Sequence, residues 1–217
     1  MSSFLSFIIA NKNMIGKAIG QHLLISIVAL SLGIAVALPV GILLTRNKKI
    51  ANIVLNIFNV INTIPSLVLL GFAMIILGLG FVPAVAVLFL YSLLPIMRNT
   101  YTGINTIEPK YIKAARGMGM NRHEMLINIQ IPLALPSIIT GIRISIIYII
   151  SWATLSAFIG AGGLGDLIWS GLQAYNYNMI FAGALPATIL ALIANLLLTL
   201  AEKRAREFSH GKRRNRK

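Results

Sequence analysis

The sequence predicts an all-α integral membrane protein with about five crossing helices and a polar helical hairpin on one face, and three observations predict it. Hydrophobic residues make up 57% of the 217-residue chain and charged residues 11%. With a mean hydropathy of +0.84, too little polar surface remains to clothe a water-soluble core. Runs without a single charge occupy residues 23–44, 50–79, 81–97, 133–142, 144–161 and 167–201, and a hydrocarbon layer of about 30 Å takes about 20 apolar residues per helix. The basic residues are gathered in patches between these runs.

Residues 1–20 form a lead-in, outside or at the interface. The first ten residues lack the basic start and the long apolar run of a signal peptide. The first span, 23–44, contains Pro39, which membrane helices tolerate as a bend when neighbours satisfy the freed carbonyl. It closes in the turn Thr45-Arg46-Asn47-Lys48-Lys49.

In the next segment Asn52, Asn56, Asn59 and Asn62 recur at spacings of four, three and three, which stacks their amides on one helix face. That face meets other helices or a hydrated passage, or else it marks an amphipathic half-helix near the interface; both readings stand. Thr63-Ile64-Pro65-Ser66 interrupts the helix, because the residue before a proline is pushed out of helical geometry. A break at this depth is a kink, or a point where backbone and side chains line a pathway. Asn59, Asn62, Pro65 and Ser66 are therefore pathway candidates.

Gly78-Leu79-Gly80 reads as a tight turn and 81–97 as the return span. Residues 98–130 are the longest polar stretch before the tail, helix-forming from 108 to 129 with Gly117 and Gly119 inside, and read as a helical hairpin on the inner face. After the fourth span, residues 151–178 form an external loop with glycines at 160, 162, 163 and 165. No Gly-Lys-Ser/Thr follows and no strand precedes, so a nucleotide cradle is excluded in favour of close packing. Trp152, Trp169, Tyr175 and Tyr177 are expected as interfacial anchors, and Tyr148 and Trp152 also offer rings to a passage. Arg143 is the one charge within a predicted span; it faces protein or water, or snorkels to the interface.

With the N-terminus outside, sixteen of the nineteen basic residues fall on one side, including the basic tail 203–217, whereas the loops at 78–80 and 151–178 contain no Lys or Arg. This asymmetry places the tail and hairpin in the cytoplasm, the tail beside anionic lipid headgroups rather than nucleic acid. No cysteine is present, which removes disulfides and thiolate metal sites. The five acidic residues and three histidines are scattered, so no metal ligands and no catalytic pair are expected.

Lys113-Ala114-Ala115 is followed after three residues by Gly119, then by Ile129, Ile131 and Pro132. This resembles the EAA loop of ABC importer permeases, with Lys113 where Glu is usual and Ile131 where Leu is usual. Thr63-Ile64-Pro65-Ser66-Leu67, Leu94-Pro95-Ile96-Met97-Arg98-Asn99-Thr100-Tyr101, Arg116-Gly117-Met118-Gly119-Met120, Pro132-Leu133-Ala134-Leu135-Pro136 and Gly141-Ile142-Arg143 further resemble permeases for glycine betaine, carnitine and choline, over roughly residues 20–202. The resemblance implies a type I ABC importer permease fold in 21–202, with 98–130 as the coupling loop. It also implies a docking set of Lys113, Ala114, Ala115, Gly117, Gly119, Ile129 and Pro132.

The implied partners are cytoplasmic ATPase subunits that hold ATP and Mg, a second permease, identical or related, and an extracytoplasmic substrate-binding protein; the chain itself is expected to hold no cofactor. An amino-acid importer shares the EAA loop and stays open as an alternative. A channel or secondary transporter also stays open, but leaves the Ala114-Ala115-Gly119-Pro132 pattern without a purpose.

Overall fold

The structure, a computed structural model, describes residues 2–209, and every regular element among them is helical. The tail residues Lys212, Arg213, Arg214, Arg216 and Lys217 lie outside the described residues. A short helix α1 (Ser2–Ala10) leads into α2 (Lys12–Leu44), whose 33 residues extend about 50 Å at 1.5 Å per residue. Lys12 and Lys17 thus belong to the helix of the first span, and most of the expected lead-in is helical. The helix runs through Pro39 without a break.

Asn47 caps α3 (Lys48–Thr63), its side-chain oxygen accepting from the N–H groups of Lys49 and Ile50 at 3.0 and 3.2 Å. Ile64 is extended at φ −68°, ψ 131°, the geometry a following proline imposes. Here α3 ends, and α4 (Ser66–Leu77) leaves at 95° to it. Then follow α5 (Phe81–Asn105), α6 (Pro109–Gly117), α7 (Arg122–Met125), a π-turn (Leu126–Gln130) and α8 (Ile131–Ala153). A 3₁₀ turn (Leu155–Ile159), α9 (Leu164–Gln173) and α10 (Tyr177–Ser209) complete the chain.

Register gives the topology. On α2 Gly33 lies against Ser92 of α5, and Gly41 against Thr100, so these helices run parallel. The Ser145 hydroxyl of α8 donates to the Ser92 carbonyl at 2.9 Å and Gly141 lies against Pro95 and Asn99, so α8 is antiparallel to α5. Arg143 meets Thr199 and Glu202, while Ile150 further along α8 shares a cavity wall with Ala184 and Ala191 earlier on α10, so α10 is antiparallel to α8. Because α2 and α5 are parallel, the bent pair α3–α4 must cross back between them. This makes five crossings, with α2 entering on one face and α10 leaving on the other.

The packing is that of membrane bundles, with small residues where backbones approach. A Cβ on Gly141 would stand 2.8 Å from the Pro95 carbonyl oxygen. The largest core cluster joins Ala37 and Leu44 of α2, Ala51 and Leu55 of α3, and Leu93, Leu94, Ile96 and Met97 of α5.

Three expected boundaries change. Residues 98–105 continue α5, so Arg98 and Asn99 lie within a crossing helix; a charge had marked the span's end. Residues 151–178 are not an open loop but hold α9, folded back against α2 and α10. Residues 203–209 continue α10. Around Pro132 the helix is continuous from Arg122 to Ala153. The π-turn precedes Pro132, with the Ile131 N–H bonded to the Leu126 carbonyl, and shifts the hydrogen-bond register just before the residue that lacks a donor.

Candidate functional site

Two regions carry the expected site residues. The first is the hairpin on the face where α5 ends and α8 begins. Pro109 sets the first turn of α6. Its C-terminus closes as a Schellman motif: the Met120 N–H bonds to the Ala115 carbonyl at 3.1 Å and the Gly119 N–H to the Arg116 carbonyl at 3.0 Å. Gly119 occupies the left-handed position at φ +80°, which any L side chain adopts with strain. Asn121 and Glu124 form a reciprocal capping box at the start of α7, with contacts of 2.8 to 3.0 Å.

Ala115 is fully buried and anchors α6, while Lys113, Ala114, Gly117 and Gly119 are exposed side by side. Ile129 and Pro132 are half-buried in the continuous helix that rises from the hairpin. The result is a short helix whose outer surface is small and open, joined through the capped turn at residues 118–121 to the continuous helix that leads into α8. At its start Glu108 and Lys110 pair at the surface, and that hydrogen bond and charge hold the Lys110 ammonium above its ordinary pKa.

The second region is a cleft of about 370 Å³ beside the break in α3–α4. Asn62, Tyr148 and Trp152 line it together with Leu94, Pro95 and Arg98. Tyr148 and Trp152 stack at 5.1 Å between ring centroids with planes 29° apart, and Trp152 meets Tyr91 at 4.2 Å. The Tyr91 hydroxyl donates to the Ile64 carbonyl at 2.5 Å, satisfying the backbone group at the proline break from the neighbouring helix. Arg98 donates to the Asn59 side-chain oxygen at 3.4 Å.

Of the expected pathway residues, then, Asn62, Tyr148 and Trp152 share one cleft, and Asn59 joins it through Arg98. Pro65 and Ser66 sit at the bend above and do not line it. Trp152 is half-buried, with rings on two sides. Trp169, Tyr175 and Tyr177 are exposed, with Trp169 against Phe158 at 4.3 Å. Sequence reasoning missed Tyr91 and Arg98; an aromatic one helical turn before Leu94-Pro95 was the available signal.

Arg143 faces protein. One guanidinium nitrogen lies 3.1 Å from Glu202 and another donates to Thr199 at 3.0 Å, while the other Glu202 oxygen accepts from Arg206 at 2.6 Å. The Arg143–Glu202 contact is an ion pair not aligned as a hydrogen bond, because that carboxylate oxygen has no hydrogen-bond partner.

The glycine segment packs closely, as expected, but against protein: the Gly163 N–H donates to Gln21 at 3.3 Å, and a Cβ on Gly165 would fall 2.0 Å from the Thr154 carbonyl oxygen. No group of three metal-ligating side chains occurs among the described residues.

A five-crossing helical bundle with a capped hairpin between its third and fourth crossings is the architecture of a transport permease. Residues 29–207 match the binding-protein-dependent transport system inner membrane component family, and the chain belongs to that family. It is a membrane-embedded transport subunit rather than an enzyme. It is 49% identical over 184 residues to the carnitine transport permease protein OpuCB of Listeria monocytogenes, covering 85% of this chain and 84% of that protein. It is 46% identical over 204 residues to the glycine betaine/carnitine/choline transport system permease protein OpuCB of Bacillus subtilis (strain 168), covering 94% of each. Among solved structures, an inward-facing conformation of the MetNI methionine ABC transporter superposes with a TM-score of 0.80 at 23% identity, covering 90% of this chain and 98% of that chain; this likeness is one of fold.

Proposed function

We propose that this chain is the permease subunit of an ATP-driven, binding-protein-dependent importer for quaternary ammonium osmoprotectants of the glycine betaine, carnitine and choline type. The observation that carries the substrate reading is the cleft at the α3–α4 break. Its Tyr148–Trp152 stack presents aromatic faces, and such a face attracts a trimethylammonium group by about 0.5–2 kcal/mol per ring. Asn62 supplies an amide beside them. The names of the relatives at 46–49% identity point the same way.

Energy enters through partners. Cytoplasmic ATPase subunits carrying ATP and Mg grip the outer surface of α6 at Lys113, Ala114, Gly117 and Gly119. Ala115 transmits the motion into the bundle, and the unbroken helix through Ile129 and Pro132 converts it into movement of α8, which bears Tyr148 and Trp152. The cleft then opens alternately to either side, at the interface with a second permease, identical or related. An extracytoplasmic binding protein delivers the substrate. The positive-inside rule orients the chain with its N-terminus outside and the hairpin and tail in the cytoplasm. Lys113, in place of the usual acid, changes the polar contacts at the joint without filling it.

The test is to solubilise native membranes mildly, purify the tagged chain, and identify what accompanies it, then repeat with Gly119→Trp. A Cβ on Gly119 meets open space, so the substitution disturbs the docking turn while leaving the bundle packed. Recovery of an ATPase subunit that is lost in the variant is the expected result. Recovery of the chain alone in several mild detergents would overturn the proposal.

A further inference from the structure

A cavity of about 620 Å³ opens between the last turn of α2 and the hairpin, apart from the cleft described above. Arg46, Arg116, Arg122 and His123 line it, from three separate elements, over an apolar floor that includes Ile42 and Leu126. Among the described residues no carboxylate lines it. Of the nearby acids, Glu108 is engaged by Lys110 and Glu124 by the Asn121 N–H. Among the described residues the three guanidinium groups have no hydrogen-bond or ion-pair partner, so three permanent positive charges converge on one concavity without a counter-charge.

We propose that this cavity is a binding site for an anionic phospholipid, with the phosphodiester held by Arg46, Arg116 and Arg122. Guanidinium forks match phosphate oxygens in geometry and charge, and basic pockets between helices on the cytoplasmic side hold anionic headgroups. The floor selects a lipid over a free anion. Ile42 belongs to the final turn of a membrane span, so acyl chains continue from the cavity along apolar helix surface, whereas inorganic phosphate has no use for that floor. The lipid would bridge the end of α2 to both arms of the hairpin and brace the hairpin against the bundle.

The full-length chain, purified in neutral detergent, is titrated with dioctanoyl phosphatidylglycerol, with dioctanoyl phosphatidylcholine and with inorganic phosphate, and bound species are counted by native mass spectrometry. One phosphatidylglycerol should bind in at least tenfold preference to phosphatidylcholine. Arg46→Gln, Arg116→Gln and Arg122→Gln should each weaken it about fivefold, and the Arg→Lys variants, which keep the charge but lose the fork, should weaken it less than the Gln variants do. Lys49→Gln, a neighbouring cation outside the cavity, should change it less than twofold. Melting temperatures report whether each variant is folded.

The proposal fails if the two lipids bind alike, or if Lys49→Gln weakens binding as much as the cavity variants do. It also fails if inorganic phosphate displaces the lipid at equal concentration, which would make the cavity a small-anion site. Loss of a co-purifying ATPase in the arginine variants with lipid binding unchanged would assign the cavity to that partner instead.

Discussion

Replacing Glu202 by Gln removes the carboxylate that pairs with Arg143, and the structure sets the size of the effect. Truncating one member of a fully buried ion pair costs about 3–5 kcal/mol because the other charge is stranded. The Glu202 side chain is 9% exposed, but that of Arg143 is 26% exposed and keeps its Thr199 contact. The cost should therefore sit at or below the low end, about 2–3 kcal/mol. For a chain of this size that lowers Tm by roughly 4–12 °C. Arg143→Gln should cost less, because Glu202 retains Arg206 at 2.6 Å. The double variant Arg143→Gln/Glu202→Gln strands no charge at the α8–α10 contact, so it should melt above Glu202→Gln alone, with a coupling energy of about 1 kcal/mol or more. Thermal melts of the four proteins in one mild detergent provide the cycle. Strict additivity of the two single variants would refute the argument that these residues act as a pair.

Other outcomes follow from single contacts. Gly165→Ala sets a methyl group 2.0 Å from the Thr154 carbonyl oxygen, backbone against backbone with no rotamer to relieve it, and should destabilise by about 1–3 kcal/mol or more in the same melts. Tyr91→Phe keeps the ring against Trp152 but strips the Ile64 carbonyl of its donor; a loss of about 1–3 kcal/mol is expected, and an unchanged melt would remove Tyr91 as the brace of the proline break. Burial in α9 raises the Asp166 carboxyl above its ordinary 3.8. The folded state therefore holds this proton more tightly than the unfolded state, and its stabilising effect, fully present below pH 3.8, is lost as pH rises through the raised value. Asp166→Asn should flatten that part of the stability profile.

The crossings and the hairpin were legible because both rest on local signals. Uncharged runs mark helices that lipid accepts, Pro65 forces a break at Ile64 whatever surrounds it, and Gly119 stands where a helix must end in a left-handed residue. What escaped was tertiary. Nothing at Arg143 reveals a carboxylate 59 residues further on. Arg98 ended a span by the charge criterion, yet α5 continues to Asn105 because Arg98 faces the cleft and reaches Asn59. The glycines of residues 160–165 suggested a loop, but they serve close approach to α2 and α8 at the start of a short helix. Trp152 carries the composition signal of an interfacial residue, and its packing against Tyr91 and Tyr148 is set by the pairing of α5 with α8.

As the proposed importer subunit, the chain passes quaternary ammonium solutes using ATP hydrolysed on partner subunits. The direct measurement is uptake of labelled glycine betaine, carnitine and choline by cells lacking their own uptake systems and supplied with this chain, its ATPase and its binding protein. Uptake should cease on ATP depletion, persist when proton and sodium gradients are collapsed, and fall when Trp152 is replaced by Ala. Uptake that survives ATP depletion while a gradient remains would contradict that role and return the chain to the secondary transporters.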